Sequence, residues 1–393
     1  MGILRAVLVP RSFHLRPRCN WQGNYAAAGV ASGPLIRSST VIMNVFDSPD
    51  FDHHEEVAFF DDKASGLKAI IAVHSTALGP ACGGARMHAY ADCDAALTDV
   101  LRLSRGMSYK SAIADLPLGG GKAVILGDPA RDKSEARFGA FARAVDALGG
   151  RYITAMDMGV LPRDMPAIAR GTKFVAGYDQ PGRKGGDSAP TTALGVFVGL
   201  KAGVKHRLGA DTTKGLTVAV QGLGKVGMGV AKRLHAEGAK LIVADVNEDA
   251  VRRAAEAFGA RVASPDTIVT AECDVLSPNA VGAILDDETV PLLHAKLVAG
   301  GANNQLARDA HGTMLAERGI LYAPDYVING GGIICVAGQI YDWDDVEIER
   351  RALAIGDALS AIFRRADAGH LPTNQIADRM AEERMARGKT AAE

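Results

Sequence analysis

Six residues constrain this chain more than any others. Gly222-Leu223-Gly224-Lys225-Val226-Gly227 follows the apolar run Thr217–Val220 and opens a helix-patterned stretch, Lys225–Glu237. A G-x-G-x-x-G between a strand and a helix is a dinucleotide fingerprint. Its glycines permit a tight turn and let a pyrophosphate approach the backbone. The helix N-terminus adds free N–H groups and partial positive charge. The next apolar strand, Lys240–Ala244, ends at Asp245. A carboxylate there accepts from ribose hydroxyls and repels a 2′-phosphate, so the expected cofactor is NAD rather than NADP. The cofactor positions are Gly222, Leu223, Gly224, Lys225, Val226, Gly227 and Asp245. Ser277-Pro278-Asn279-Ala280 and Gly301-Ala302-Asn303-Asn304 lie just beyond later strand ends, where such sheets bind ligands, and add Asn279 and Asn303.

Strands at Leu216–Val220, Lys240–Ala244, Cys273–Leu276 and Lys296–Ala299, with helices at Lys225–Glu237 and Glu248–Phe258, predict a doubly wound parallel sheet. Before it stands a second α/β region. A hairpin pattern at Val57–Phe60 and Leu67–His74 leads into an amphipathic helix over Ala91–Met107. A strand follows at Lys122–Leu126, a helix at Lys133–Leu148 and a strand at Tyr152–Ala155. Asp179–Pro190 is polar and rich in Gly and Pro, as inter-domain connections are. The expected organisation is 43–183 as a substrate domain, 184–340 as a Rossmann-type domain and 341–393 as C-terminal helices.

Residues 1–42 read differently. No Asp or Glu occurs before Asp47, and five arginines are scattered among Pro, Gly, Ser and Ala. This is expected to be a disordered extension upstream of a true start at Met43, with a transit peptide as the alternative.

Charge excludes some functions. The 44 Lys+Arg balance 45 Asp+Glu, for a net charge of −1, so no basic surplus serves nucleic acid or an anionic membrane. No apolar run reaches the roughly 18 residues of a membrane span. The five cysteines form no C-x-x-C pair, which fits a reducing compartment, and no metal site is expected. Asp52-His53-His54-Glu55-Glu56 is read as a solvated surface turn rather than a ligand set, and His74 and His88 as structural.

Chemistry concentrates in Arg105–Lys122, where Lys110 and Lys122 bracket a loop ending in three glycines. It is no phosphate loop: Leu116 stands where a glycine is required, and Ala123 where Ser or Thr would hold Mg²⁺. Gly79–Arg86 is a second glycine-rich segment. Thr154–Gly159 places Asp157 just past a strand end. One lysine can bind a carboxylate, and the other can act as a general base if burial and a neighbouring ammonium lower its pKa. The alternative is two solvated surface lysines.

Between Val57 and Tyr341 the phrases SGLKAIIAVHSTALGPACGGARM, RGMSYKSAIADLPLGGGKAVILGDP, GRYITAMDMG, VAVQGLGKVG, GANNQL and YAPDYVINGGG follow one another. In these the chain resembles the Glu/Leu/Phe/Val amino-acid dehydrogenases, their leucine dehydrogenase branch in particular. The resemblance implies two α/β domains with a cleft between them, usually assembled as a homo-oligomer in the cytoplasm. It implies reversible oxidative deamination of an L-amino acid with NAD⁺. Lys122 becomes the base that activates water, and Asp157 the group exchanging protons with the amino nitrogen. Lys110 binds the substrate carboxylate, with Gly83, Gly84 and Met107 as further substrate positions. Asn303 lies near nicotinamide and substrate, and Cys82, Ala155, Ile333 and Val336 line the side-chain pocket.

The lining carries no charge for a side-chain carboxylate, which argues against glutamate. Cys82 and Gly330 stand where the leucine enzymes carry larger residues, implying a roomier pocket; Cys335 stands where Asn is common. The expected substrate is a branched-chain, leucine-like amino acid. The alternatives are an aromatic amino acid such as phenylalanine, or a non-catalytic NAD-binding sensor.

Overall fold

The computed structural model describes residues 3–4, 45–180, 185 and 187–392. All of the expected N-terminal extension except its third and fourth residues, and the centre of the Gly/Pro-rich connection, lie outside the described residues.

The first sheet contains β1 (Ile3–Leu4), β2 (Glu56–Asp62), β3 (Leu67–Ser75), β4 (Ala81–His88), β5 (Gly119–Leu126) and β6 (Tyr152–Met156), in the order β1-β2-β3-β5-β4-β6. It is mixed. β2, β3 and β5 pair antiparallel, whereas β4 runs parallel to β5 and β6. Alternate residues of β3 serve opposite faces. Ile70 and Ala72 pack under α1 (Cys93–Ile113) with Leu97, Val100 and Leu101. Ile71 and Val73 pack under α2 (Glu135–Asp146) with Phe138, Phe141 and Val145. A short α3 (Met165–Ala169) closes this region.

After α4 (Ala189–Leu208) the second sheet is built from β7 (Thr217–Gln221), β8 (Lys240–Ala244), β9 (Arg261–Val262), β10 (Val275–Pro278), β11 (Leu297–Val298) and β12 (Leu321–Tyr322). Its order is β12-β11-β10-β7-β8-β9, with every pairing parallel. The strand order reverses between β7 and β10, so their carboxyl ends bound the crevice such sheets use for ligands. Its helices are α5 (Lys225–Ala236), α6 (Glu248–Phe258) and α7 (Ala310–Glu317). Then α8 (Asp325–Ile328), α9 (Gly331–Tyr341) and α10 (Asp345–Gly369) pack back toward α4.

The last helix, α11 (Thr373–Ala392), returns to the first sheet. Arg384 donates to the carbonyls of Ala112 and Ile113 at 2.8 and 2.7 Å, capping the open end of α1. Tyr109 donates its hydroxyl to Glu382 at 2.7 Å. Among the described residues no helix is long and apolar enough to cross a membrane.

The Asp52–Glu56 segment departs from the expected surface turn. His54 is only 2% exposed. Its Nε2 lies 3.1 Å from Leu101 O and 3.0 Å from Ser104 Oγ. Its ring packs edge-on against His74, whose Nδ1 meets Ser108 Oγ at 2.8 Å. Burial pushes His54 down to about 4 and lowers His74 as well. Both are therefore neutral in the folded chain, whereas the unfolded chain takes up protons below pH 6.5. Stability should be full above that pH and fall by roughly 3 kcal/mol from His54 alone as pH drops toward 4. Urea midpoints across this range should decline more gently in His54→Gln; an equal slope would show that the histidine cluster is not the acid-sensitive element.

Candidate active site

The expected helix over Ala91–Met107 runs on to Ile113, because Met107–Ile113 continues its buried face with Ser108, Ala112 and Ile113. Lys110 therefore projects from the last turn of a helix, not from a loop. Nor do the three glycines belong to a loop: Gly119, Gly120 and Gly121 begin β5. A Cβ on Gly119 would lie 2.0 Å from Ser75 O, one on Gly120 1.9 Å from Ser108 N, and one on Gly121 2.7 Å from the Tyr152 ring. Glycine is needed there so that β3, α1 and β6 can close on the strand.

The same holds on β4. A Cβ on Gly83 would meet Gly121 O at 1.9 Å and Met107 Cγ at 3.2 Å. One on Gly84 would lie 2.7 Å from Asp157 Cβ. Gly83, Gly84 and Met107 thus form the floor over which Lys110, Lys122 and Asp157 assemble. Tyr152 donates its hydroxyl to Gly83 O at 2.6 Å and fixes that floor from below.

Lys122 follows the glycines on β5 and is only 6% exposed. Its Nζ lies 2.7 Å from Asp157 Oδ2. Burial pushes the Lys122 ammonium down and Arg86 adds to this, while Asp157 opposes both. Burial alone would push Asp157 up; Lys122 and Arg86 outweigh it and hold that carboxyl at about 2. Lys110 donates to Asn303 Oδ1 at 3.5 Å across the gap between the sheets. Burial lowers its ammonium to about 8, with Asp325 opposing and Lys122 assisting. The same Asn303 oxygen accepts from Asn329 Nδ2 at 2.7 Å.

The fingerprint loop follows β7 on the second sheet. Gly222 has φ +86°, and a Cβ on it would lie 2.7 Å from Ala280 Cβ. Gly224 caps α5 with open space where a Cβ would be. A Cβ on Gly227 would meet Gly222 O at 1.9 Å, so the helix sits tight against the loop. Leu223 completes the turn, and Val226 stands in the first turn of α5, 3.1 Å from where a Cβ on Gly301 would lie. Asp245 accepts from Leu223 N at 2.5 Å and from Asn247 N at 2.8 Å, which holds its carboxylate beside the loop. The Asn279 side chain is taken up: Nδ2 donates to Ser277 O at 2.9 Å and Oδ1 accepts from Gly301 N at 2.9 Å. It braces two loops, and its backbone N–H is also taken up, donating to Gln221 O at 2.6 Å. Lys225 turns outward to Asp187 at 3.0 Å, and both groups are exposed.

Cys82 and Ile333 are buried in one apolar cluster, with Val336 packed against it. Burial pushes the Cys82 thiol up to about 12. A Cβ on Gly177 would lie 3.4 Å from both Ala155 Cβ and Val336 Cγ2. Gly177 thus brings Ala155 and Val336 together. Gly330 does not join them. Its missing methyl points toward Val327 O, Ile355 and Ala114, so Gly330 adds no room beside Cys82. Sequence reasoning also passed over Arg86, Gly177 and Asn329. The last stands in the quoted VINGGG phrase, and Arg86 closes the GGAR phrase.

Residues 53–174 match the family described as Glu/Leu/Phe/Val dehydrogenase, dimerisation domain, and residues 243–386 match Glutamate/Leucine/Phenylalanine/Valine dehydrogenase. The chain belongs to the Glu/Leu/Phe/Val dehydrogenase family. Among its relatives, the leucine dehydrogenase of Bacillus cereus is 48% identical over 344 residues, covering 88% of this chain and 94% of that one. The valine dehydrogenase of Streptomyces albus is 47% identical over 352 residues, covering 89% and 96%. Among solved structures, L-tryptophan dehydrogenase from Nostoc punctiforme superposes with a TM-score of 0.78 at 43% identity, covering 86% of this chain and 97% of that one. In this Glu/Leu/Phe/Val dehydrogenase the glycine floor and Lys122 lie in the first halves of β4 and β5, Lys110 on the last turn of α1 and Asp157 just past the carboxyl end of β6.

Proposed function

We propose that this dehydrogenase converts an apolar L-amino acid, NAD⁺ and water to the 2-oxo acid, ammonium, NADH and a proton, reversibly. The observation that carries the reading is the pair of buried Lys122 and part-buried Asp157 beside Lys110 on a floor of glycines. The open space at Gly224, the free N–H groups of α5 and the carboxylate of Asp245 fit a dinucleotide with a free 2′-hydroxyl. Bound NAD⁺ supplies the two-electron acceptor. Lys110 holds the substrate carboxylate as an ion pair and so fixes where Cα lies. Asp157, ionised, holds the amino group and exchanges its proton. Lys122, once neutral, takes a proton from the water that attacks the imine carbon. Asn303 sits between the two halves of the site and ties Lys110 to the cofactor side.

The apolar wall of Cys82, Ala155, Ile333 and Val336 favours a branched-chain substrate. An aromatic substrate is the second reading, supported by the small residues Cys82, Ala155 and Gly177 and by the likeness to an L-tryptophan dehydrogenase. One methylene against such a wall is worth about 1–3 kcal/mol. NADH absorbance at alkaline pH with Leu, Ile, Val, Phe, Trp and Glu separates the readings. Turnover greatest with Leu, Ile or Val supports the first, and greatest with Phe or Trp the second. Silence across the panel in a protein that binds NADH would return the chain to a sensor.

Asp245→Ala is expected to cut the NAD⁺ over NADP⁺ preference by roughly tenfold or more, since charge-assisted hydrogen bonds are lost and the repulsion of a 2′-phosphate ends. Equal ratios of kcat/KM for the two cofactors before and after would assign the preference elsewhere. We also place the enzyme in the cytoplasm as a homo-oligomer assembled through its first sheet. The matched N-terminal family is described as a dimerisation domain, and the described cysteines are free thiols.

A further inference from the structure

Asp157 carries two cations on one oxygen. Lys122 Nζ and Arg86 Nε lie 2.7 and 3.1 Å from Oδ2. Arg86 is anchored from behind as well: its Nη1 donates to both oxygens of Asp99 at 3.2 and 3.1 Å. Tyr90 donates its hydroxyl to the same Asp99 carboxylate at 2.6 Å. The guanidinium is thus held between β4 and α1 with its Nε edge toward Asp157.

The chemistry above needs Lys122 to lose and regain a proton. When Lys122 is neutral, the part-buried carboxylate beside it loses one counter-charge. A close acid–base pair can then settle by sharing a single proton, which would occupy the carboxylate oxygen that is to receive the amino proton. A guanidinium does not titrate in this range and removes that option. We propose that Arg86 is a positioning residue that stops Asp157 from taking the proton of Lys122, so that the carboxylate stays free, with Oδ2 pinned, to receive the amino proton while Lys122 passes between its charged and neutral forms. The proposal rests on the reading of Lys122 as the base.

Other groups facing Lys122 do not supply this. β3 contributes Ala72 opposite it, and β4 contributes Cys82 besides Arg86. α1 contributes Asp99 and Lys110, a second carboxylate and a second titrating ammonium. Tyr90 and Tyr152 lie one contact further out. Burial keeps Cys82 and both tyrosines protonated and uncharged. Among the described residues, only Arg86 is a permanent cation in contact with Asp157.

Arg86→Gln and Arg86→Met, the second keeping the packing of the stem, should fold and bind NADH. Loss of the guanidinium ends its repulsion of Lys122 and leaves Asp157 to Lys122 alone. Both changes favour the charged lysine, so the acid limb of the kcat profile for oxidation should move up by about one pH unit. Arg86→Lys, which keeps a cation there, should leave the limb near its original position. A second readout needs no turnover: the pH midpoint for acylation of Lys122 by acetic anhydride, followed on its peptide by mass spectrometry, should shift in parallel. A uniform fall in kcat with both midpoints unmoved would overturn the proposal and leave Arg86 a packing residue. If the unaltered enzyme oxidises no amino acid, the functional reading fails, yet the acylation midpoints still decide the role of Arg86.

Discussion

Lys122→Ala is expected to lower kcat by roughly 10²–10⁴-fold or more while NADH binds nearly as before. No other group in the cluster can take over. Asp157, held at about 2, is a far weaker base than an amine and is committed to the amino group, and Lys110 is committed to the substrate carboxylate in the reading above. Lys122 stands on the first sheet and the fingerprint loop on the second, so cofactor affinity should survive its loss. Steady-state rates together with NADH fluorescence titrations test both halves. Turnover like that of the unaltered protein would remove Lys122 as the base. Because the reactive form is the neutral amine, oxidation by the unaltered enzyme should quicken as pH rises through the lysine's lowered pKa.

Lys110→Ala should act on the other kinetic constant. Losing a charge-assisted hydrogen bond to a carboxylate costs about 1.5–3 kcal/mol, so KM for the amino acid should rise roughly ten- to hundredfold, with a smaller change in kcat. An unchanged KM would refute the carboxylate role. The pH dependence has the opposite sign to that of Lys122. The Lys110 ammonium, lowered to about 8, is lost above that pH, and KM should climb there. Free-enzyme kcat/KM should therefore pass through a maximum, rising as Lys122 is uncovered and falling as Lys110 is.

Much of this was legible from local pattern. Both α/β regions follow from apolar periodicity and turn residues, and the fingerprint shows because its glycines answer to backbone geometry. The two-residue strands β9 and β12 were not legible, since so short a run carries no period. The three glycines misled for a physical reason: glycine signals a loop locally, yet here it admits Ser108, Ser75 and Tyr152 against a buried strand. The run of His and Glu after Asp52 reads as solvated, and only packing against α1 buries His54. Arg86 was hidden because its partners Asp99 and Asp157 are distant in sequence and meet only when β4, β6 and α1 assemble.

The chain crosses between its two sheets more than once. It leaves the first sheet through the Gly/Pro-rich connection before α4, and α11 comes back to cap α1 just beyond Lys110. Two covalent crossings, one of them fastened to α1 by Arg384, work against separation of the halves and help keep Asn303 3.5 Å from Lys110.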